Sequence, residues 1–404
     1  MRIVHTSDWH LGRTLHGVDL LGHQAAYLDH LVDLVRAEDA AAVVVSGDVY
    51  DRALPPVEAV ALLADALARL SERAAVILTP GNHDSAIRLG FGAALMRSGV
   101  HLQARVAGIG TPVVLADEHG PVHVHALPYL DPDAVRRELA DDDAAVGPDG
   151  LLPRSHEAVA AAAMRRVRAS LATGGPGVPG GARPRSVVMA HAFVVGGQAS
   201  DSERDIRVGG VDSIPAGVFA GVDYVALGHL HGAQRIAGEA GPDGAPAPVL
   251  QYSGSPLAYS FSERGHRKAS VVLDLGPDGV RGVELVGAPV PRRLAEVTGT
   301  LDALLGRAGD AHVADWLRVV VTDPVRPPEL VSRVRERFPH ALVVEHRPAG
   351  AAQGRVTAAV TAARDPLEVA DEFVEHVTGA APTAEERAVL RRAYEHVLAA
   401  ARSR

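Results

Sequence analysis

The chain has 404 residues, 47% of them hydrophobic, which is more than one small core organises and implies two or three domains. It contains no cysteine, so disulfides, thiolate zinc sites and cysteine nucleophiles are excluded and histidine and carboxylates are left as the strong metal ligands. The formal net charge of -9 at pH 7 has the wrong sign for holding nucleic acid on a basic surface alone, so a nucleic-acid substrate needs bound cations or a partner subunit.

In chain order, Ile3-Val4 leads a strand, residues 23–38 have helical spacing, Ala42–Ser46 is a β-branched run, Val57–Leu70 is helical again and Val76-Ile77-Leu78 is the next strand. This is a βαβ layout. Strands are also expected around residues 122–126, 187–190, 224–227 and 271–275, which predicts a pair of sheets sandwiched by helices. Residues 141–153, 174–184 and 238–248 read as loops without chemistry. After about Pro291 the pattern changes to strands at 294–297, 316–321 and 342–345 with a helix over 328–338. The expectation is a first domain over residues 1–290 and a small α+β domain over 291–350 behind a proline-rich boundary. Residues 365–404 read as a helical hairpin: Asp365 and Pro366 suit a helix start and Gly379 a stop. Thr383 and Glu386 form a capping box ahead of Leu390, Ala393, Tyr394, Val397 and Leu398. No apolar run approaches eighteen residues and Met1-Arg2-Ile3-Val4-His5-Thr6 lacks a leader's apolar core, so the expectation is a soluble cytoplasmic protein without a membrane partner.

Five short segments end β-branched runs, where an α/β sheet presents its ligands: Asp8-Trp9-His10, Gly47-Asp48, Gly81-Asn82-His83-Asp84, His191 and Gly228-His229-Leu230-His231. Phosphodiester hydrolysis at a two-metal site needs a bridging carboxylate, neutral imidazoles, carbonyl oxygens and an open position. Asp8 and His10 leave one turn together, and Gly47 lets the backbone turn so that Asp48 comes forward as the bridging ligand. Asn82 offers a carbonyl oxygen, His191 closes a strand, and His229 and His231 point two imidazoles to one side. An oxygen-plus-imidazole set suits two divalent cations, Mn²⁺ first, with Mg²⁺ or Fe²⁺ tolerated.

Other candidates stay open. His5, His16, His23, His30, His101 and His123 read as surface or hydrogen-bonded histidines. Asp51, Ser85 and Arg88 adjoin the motifs and equally suit helix caps. Arg204, Arg207 and the Gly209-Gly210 turn fit a DNA path or a solvated loop, and residues 252–261, which mix aromatics with Ser-Gly-Ser-Pro, fit a turn packing the second sheet or, by the family resemblance given below, the rim of the site. The single lysine, Lys268, follows Arg267 and no glycine, which excludes a P-loop; any ATP dependence must come from a partner.

These motifs resemble the calcineurin-like metallophosphoesterases. The strings Met1-Arg2-Ile3-Val4-His5-Thr6-Ser7-Asp8-Trp9-His10-Leu11-Gly12, Gly47-Asp48-Val49-Tyr50-Asp51, Pro80-Gly81-Asn82-His83-Asp84-Ser85, Ala226-Leu227-Gly228-His229-Leu230-His231 and Tyr252-Ser253-Gly254-Ser255-Pro256-Leu257 are similar to SbcD-type nuclease subunits among them. The resemblance implies a four-layer α/β/β/α sandwich with a small α+β capping domain and a C-terminal helical hairpin. It implies one ion on Asp8, His10, Asp48 and His231 and another on Asp48, Asn82, His191 and His229. His83 would be the general acid or transition-state stabiliser, with Asp84 orienting its ring. The implied activity is 3′ to 5′ exonuclease on duplex ends and endonuclease on single strands and hairpins, serving DNA repair, recombination and replication. The implied partners are DNA, an SbcC-like SMC-type coiled-coil ATPase gripped by the hairpin, and a second copy, as a homodimer within a heterotetramer. Archaeal and eukaryotic relatives tend to carry histidine where this chain has Asp51. The rival readings are a phosphodiesterase for small nucleotide substrates, which has no use for the capping unit and hairpin, and a scaffold without turnover, against which the intact ligand set argues.

Overall fold

The computed structural model describes residues 1–404 apart from 97, 141–145, 148, 175–182, 207–212, 242–243, 349–365, 379 and 403–404. The expectations for Arg207, Gly209, Gly210, Asp365 and Gly379 lie outside the described residues. The chain forms two compact units, Met1–Arg347 and Pro348–Arg404.

The first unit is built on two six-stranded sheets. In one, β1 (Arg2–Thr6), β2 (Ala42–Ser46), β3 (Ala75–Thr79) and β4 (Val100–Leu102) run parallel in that order. The other centres on β5 (Gly120–Ala126), β6 (Arg185–His191), β7 (Tyr224–Gly228) and β8 (Val249–Tyr252), again parallel and adjacent in that order. Two antiparallel strands, β9 (Ala269–Gly276) and β10 (Gly279–Gly287), extend the first sheet beyond β1.

Alternation along each strand sorts side chains into layers. Ile3, Val44, Ile77 and Leu273 pack between the sheets against Val187, Met189, Tyr224 and Ala226. The opposite-facing Val4, Val43, Val45, Val76 and Leu78 pack under α1 (Leu21–Ala37) and α2 (Val57–Leu70) through Tyr27, Leu28, Leu31, Leu63 and Leu70. Likewise Val188, Ala190, Val225 and Leu227 meet α3 (His156–Ala172). The result is an α/β/β/α sandwich whose central parallel strands, such as Ala42–Ser46, Arg185–His191 and Tyr224–Gly228, are buried on both faces, which is why they read as unbroken β-branched runs. The sequence reading passes over α3. Its alanines carry little amphipathic contrast, and it is held by Ser155, whose hydroxyl accepts the Ala158 N–H at 3.2 Å, and by the close approach of buried Ala160, Ala162 and Ala163 to the second sheet.

Strands β11 (Leu294–Gly299), β12 (Trp316–Val321) and β13 (Ala341–His346) form a separate parallel sheet. With α4 (Leu330–Arg337) it encloses Val297, Leu301, Val319, Val334 and Phe338. Its first-edge residues Leu294 and Trp316 join Leu15, Leu20, Leu257, Tyr259 and Phe261 in one cluster, each large side chain there contributing ~1.5–3 kcal/mol.

The second unit contains α5 (Pro366–Thr378) and α6 (Ala384–Arg402). Thr383 and Glu386 make the expected capping box: the Glu386 carboxylate accepts the Thr383 N–H at 2.7 Å and the Thr383 hydroxyl accepts the Glu386 N–H at 3.3 Å. Arg387 on α6 pairs with Asp371 on α5 at 2.9 Å. Among the described residues no helix is long and apolar enough to cross a membrane.

Candidate metal centre

Five parallel strands end at one place. The chain leaves β1 into Asp8 and His10, β2 into Asp48, and β3 into Asn82 and His83, while β6 ends on His191 and β7 runs into His229 and His231. Backbone bonds lock the first two turns together: the Asp8 N–H donates to Gly47 O at 3.0 Å and the His10 N–H to Asp48 O at 2.9 Å. Asp8, His10, Asp48 and His229 have φ of 54°, 45°, 49° and 104°, four of the seven positive-φ non-glycine residues described. Each such residue costs of order 1–3 kcal/mol, so backbone strain concentrates on the ligands expected from sequence. Two motif glycines allow close approach. Gly47 has φ of 86° and faces the His191 ring, and a Cβ on Gly228 would collide with the Ser46 carbonyl.

Asp8, His10, Asp48, His191, His229 and His231 are all buried, and the donor atoms of all but His229 converge in overlapping groups. Asp8, His10 and His231 form one group with donor atoms within 4.8 Å of one another, His10, Asp48 and His83 a second, and Asp8, Asp48 and His191 a third. Asp48 Oδ2 lies 3.6 Å from His10 Nε2, 3.4 Å from His191 Nε2 and 3.9 Å from His83 Nε2. His191 Nε2 is also 2.8 Å from Asn82 Oδ1, and the His191 and His229 ring centres are 5.3 Å apart.

Proton counting tests whether this set fits cations. His191 Nδ1 sits 2.9 Å from Ser46 O, a carbonyl that only accepts, so Nδ1 carries hydrogen. Nε2 then aims at two further acceptors, Asn82 Oδ1 and Asp48 Oδ2, and only a second proton or a cation reconciles them. His10 Nε2 and His231 Nε2 face each other at 3.1 Å, and His10 Nδ1 has no hydrogen-bond partner. The residues therefore fit divalent cations.

The titration behaviour follows the same geometry. Burial lifts the Asp8 carboxyl to about 6, takes His10 well below its usual range and takes His229 down to about 3. Burial pulls His191 down too, but the charges of Asp48 and Asp8 overcome it and raise the ring to about 9. Burial likewise opposes ionisation of Asp48, yet His191 and the other imidazoles hold its carboxyl well below the carboxylate range.

Asp84 departs from expectation. Its carboxylate accepts the backbone N–H groups of Gly81, Val49 and Tyr50 at 2.9–3.0 Å, and none of these bonds goes to the His83 ring. The His83 ring is held instead by its Nδ1, which donates to the Asp51 carbonyl at 2.7 Å. These three N–H groups come from two segments, Val49-Tyr50 after β2 and Gly81 after β3, and Asp84 is the acceptor that satisfies both. Its burial and the charge of Asp48 raise that carboxyl to about 7. Ser85 and Arg88 take structural parts, Ser85 capping the short helix Ala86–Leu89 and Arg88 donating to Ala53 O at 3.4 Å. Arg204 reaches the site, donating to Asn82 O at 3.2 Å with its other amino group 3.5 Å from His83 Nδ1.

Residues 1–233 match the family described as calcineurin-like phosphoesterase. The chain belongs to that family. Residues 290–378 match a second family, SbcD_C, described as type 5 capsule protein repressor C-terminal domain, and the two together make this calcineurin-like phosphoesterase an SbcD-type member, a hydrolase of phosphoester bonds with a buried His/Asp cluster suited to divalent metals. A solved structure, that of TT1561 of Thermus thermophilus, is similar at 16% identity over 71% of this chain and 98% of its own, with a TM-score of 0.38.

Sequence reasoning missed the supports of this calcineurin-like site. Ser202, Glu203, Glu263 and Lys268 surround His231. Gln24 donates to the main-chain oxygens of Trp9 and His10 at 3.2 and 2.7 Å. The only available signal was a lone lysine placed five residues after a glutamate, which no spacing rule connects to His231.

Proposed function

We propose that the chain is the nuclease subunit of an SbcCD-type complex, hydrolysing DNA as a 3′ to 5′ exonuclease on duplex ends and as an endonuclease on single strands and hairpins, in repair, recombination and replication. What carries the reading is the conjunction of seven ligand side chains at five strand ends with the SbcD_C match that follows the phosphoesterase match in the same chain.

Asp8, His10, Asp48 and His231 would hold one ion, and Asp48, Asn82, His191 and His229 the other. Bound Mn²⁺, or Mg²⁺ or Fe²⁺, would supply the activated water and neutralise phosphate charge. His83 has its Nδ1–H committed to Asp51 O, so its Nε2 is the nitrogen free for the leaving oxygen. Burial lowers its pKa; an arriving phosphodiester adds the negative charge that, with Asp48, favours the second proton and makes the ring a general acid. Arg204 stands next to His83 and suits a phosphate oxygen. Asp84 acts indirectly, by holding the turn that carries Asn82 and His83.

The α+β unit, residues 291–350, would cap the entrance, and the helical hairpin, residues 365–404, would bind the coiled-coil ATPase, whose surface offsets the acidic charge of this chain. A second copy is supported by an apolar cavity of about 380 Å³ lined by exposed Val60, Phe91 and Met96, an apolar surface of the kind that suits an interface.

The test is Mn²⁺-dependent cleavage of hairpin DNA with and without the ATPase, set against turnover of an aryl phosphodiester. His83→Leu is expected to lower DNA turnover by about 10²–10⁴-fold while Mn²⁺ still binds. Unchanged cleavage by that variant, or an aryl diester preferred over hairpin DNA in both settings, would overturn the reading.

A further inference from the structure

We propose that Ser202 and Glu263 are positioning residues for His231, forming a proton-ordered chain that holds the imidazole as its Nδ1–H tautomer and leaves Nε2 bare toward the cation site. The consequence for metal rests on the two-ion reading above; the tautomer itself follows from donors and acceptors alone.

Glu263 is buried and its carboxylate only accepts. Oε2 takes the ammonium of Lys268. Oε1 takes the Tyr259 N–H at 3.0 Å and the Ser202 hydroxyl at 2.5 Å. Ser202 has one hydroxyl proton, and it is spent there. Toward His231 Nδ1, 2.7 Å away, the serine oxygen can therefore only accept, and Nδ1 must carry the hydrogen. Glu263 Oε1, 3.4 Å from Nδ1, reinforces the same polarity. Reversing the chain would require a neutral Glu263, which the buried Lys268 opposes.

The main chain of His231 is pinned by the same group of residues. Its N–H donates to Glu203 Oε1 at 2.8 Å and its carbonyl accepts from Lys268 Nζ at 3.0 Å. Lys268 also donates to Ser255 Oγ at 2.9 Å. Ring and backbone are thus both fixed, and Nε2 is directed at His10 Nε2, 3.1 Å away. Glu263 has a stable seat, because it lies in the turn Phe261–Gly265 and Phe261 is buried with Leu294 and Trp316 of the α+β unit. A carboxylate behind a ligating histidine fixes the tautomer and raises the basicity of the coordinating nitrogen, and losing it costs about 10–100-fold in metal affinity.

The first measurement is the two-bond ¹H–¹⁵N correlation spectrum of the EDTA-treated full chain labelled in histidine, with His231 assigned by the peak lost in His231→Asn. Hydrogen on Nδ1 and a bare Nε2 are expected; hydrogen on Nε2 with a bare Nδ1 overturns the proposal. The second is calorimetric Mn²⁺ titration. In Glu263→Gln/Lys268→Met, which removes both buried charges together, one of the two affinities should fall about 10–100-fold and the other stay within about twofold, with cation-free melting near that of the parent. Ser202→Ala, a smaller change, should weaken the same ion. Two unchanged affinities in either folded variant overturn the proposal, and the serine variant decides the matter if the double variant does not fold. A parent chain that binds no Mn²⁺ would defeat the two-ion reading instead, and the spectrum would still judge the tautomer.

Discussion

On the ligand set proposed above, a cation taken up at His191 Nε2 must exchange with the proton that this nitrogen carries in the chain without metal. Nδ1–H is committed to Ser46 O and Nε2 points at Asn82 Oδ1 and Asp48 Oδ2, and the ring pKa is raised to about 9 against the effect of burial by Asp48 and Asp8. At pH 7 such a ring is about 99% protonated. A cation taken up through Nε2 must therefore expel about one proton. Affinity should rise about tenfold per pH unit between pH 7 and pH 8.5, or ~1.4 kcal/mol per unit, levelling off as pH passes the ring pKa. Below about pH 6 Asp8 also holds a proton, and the dependence should steepen toward two protons. Titration calorimetry with Mn²⁺ at pH 7 in two buffers of different ionisation enthalpy reads the proton number directly. Release of no proton, or affinity that falls as pH rises from 6 to 8, would refute the arrangement of charges around His191.

Three other outcomes are expected. Asp84→Ala orphans the N–H groups of Gly81, Val49 and Tyr50 and should cost at least about 3 kcal/mol in urea denaturation; lost DNA cleavage with unchanged stability would return Asp84 to a role at the His83 ring. Gly228→Ala drives a Cβ into the Ser46 carbonyl that holds His191, and should cost about 1–3 kcal/mol and abolish tight Mn²⁺ binding, which a calorimetric titration matching the parent's would contradict. Deleting residues 365–404 should end association with the coiled-coil ATPase while Mn²⁺-dependent cleavage of short single strands persists; co-elution of the truncated chain with the ATPase would refute the docking role of the hairpin.

The strands that carry the motifs were legible because burial on both faces writes a β-branched run directly into the chain, as at Ala42–Ser46 and Tyr224–Gly228. Helix α2 was legible to the residue because its apolar stripe is periodic. Helix α3 was not, since an alanine helix against a sheet needs no such stripe. The placement of the motifs was readable for a similar reason: Asp8, His10, Asp48, Asn82, His191, His229 and His231 each lie within a few residues of a strand end, so local order already encodes which rim of the sheets they occupy.

Local sequence, then, determined which side chains meet and on which edge of the sheets, because parallel strands deliver their carboxyl ends to a common rim. The fold alone decided how those side chains are held. His83 is gripped by Asp51 rather than Asp84, and His231 by Ser202, Glu263 and Lys268. These partners are brought together by packing between segments up to 37 residues apart along the chain, and hydrogen-bond acceptors chosen by proximity in space leave no periodic trace in the order of residues.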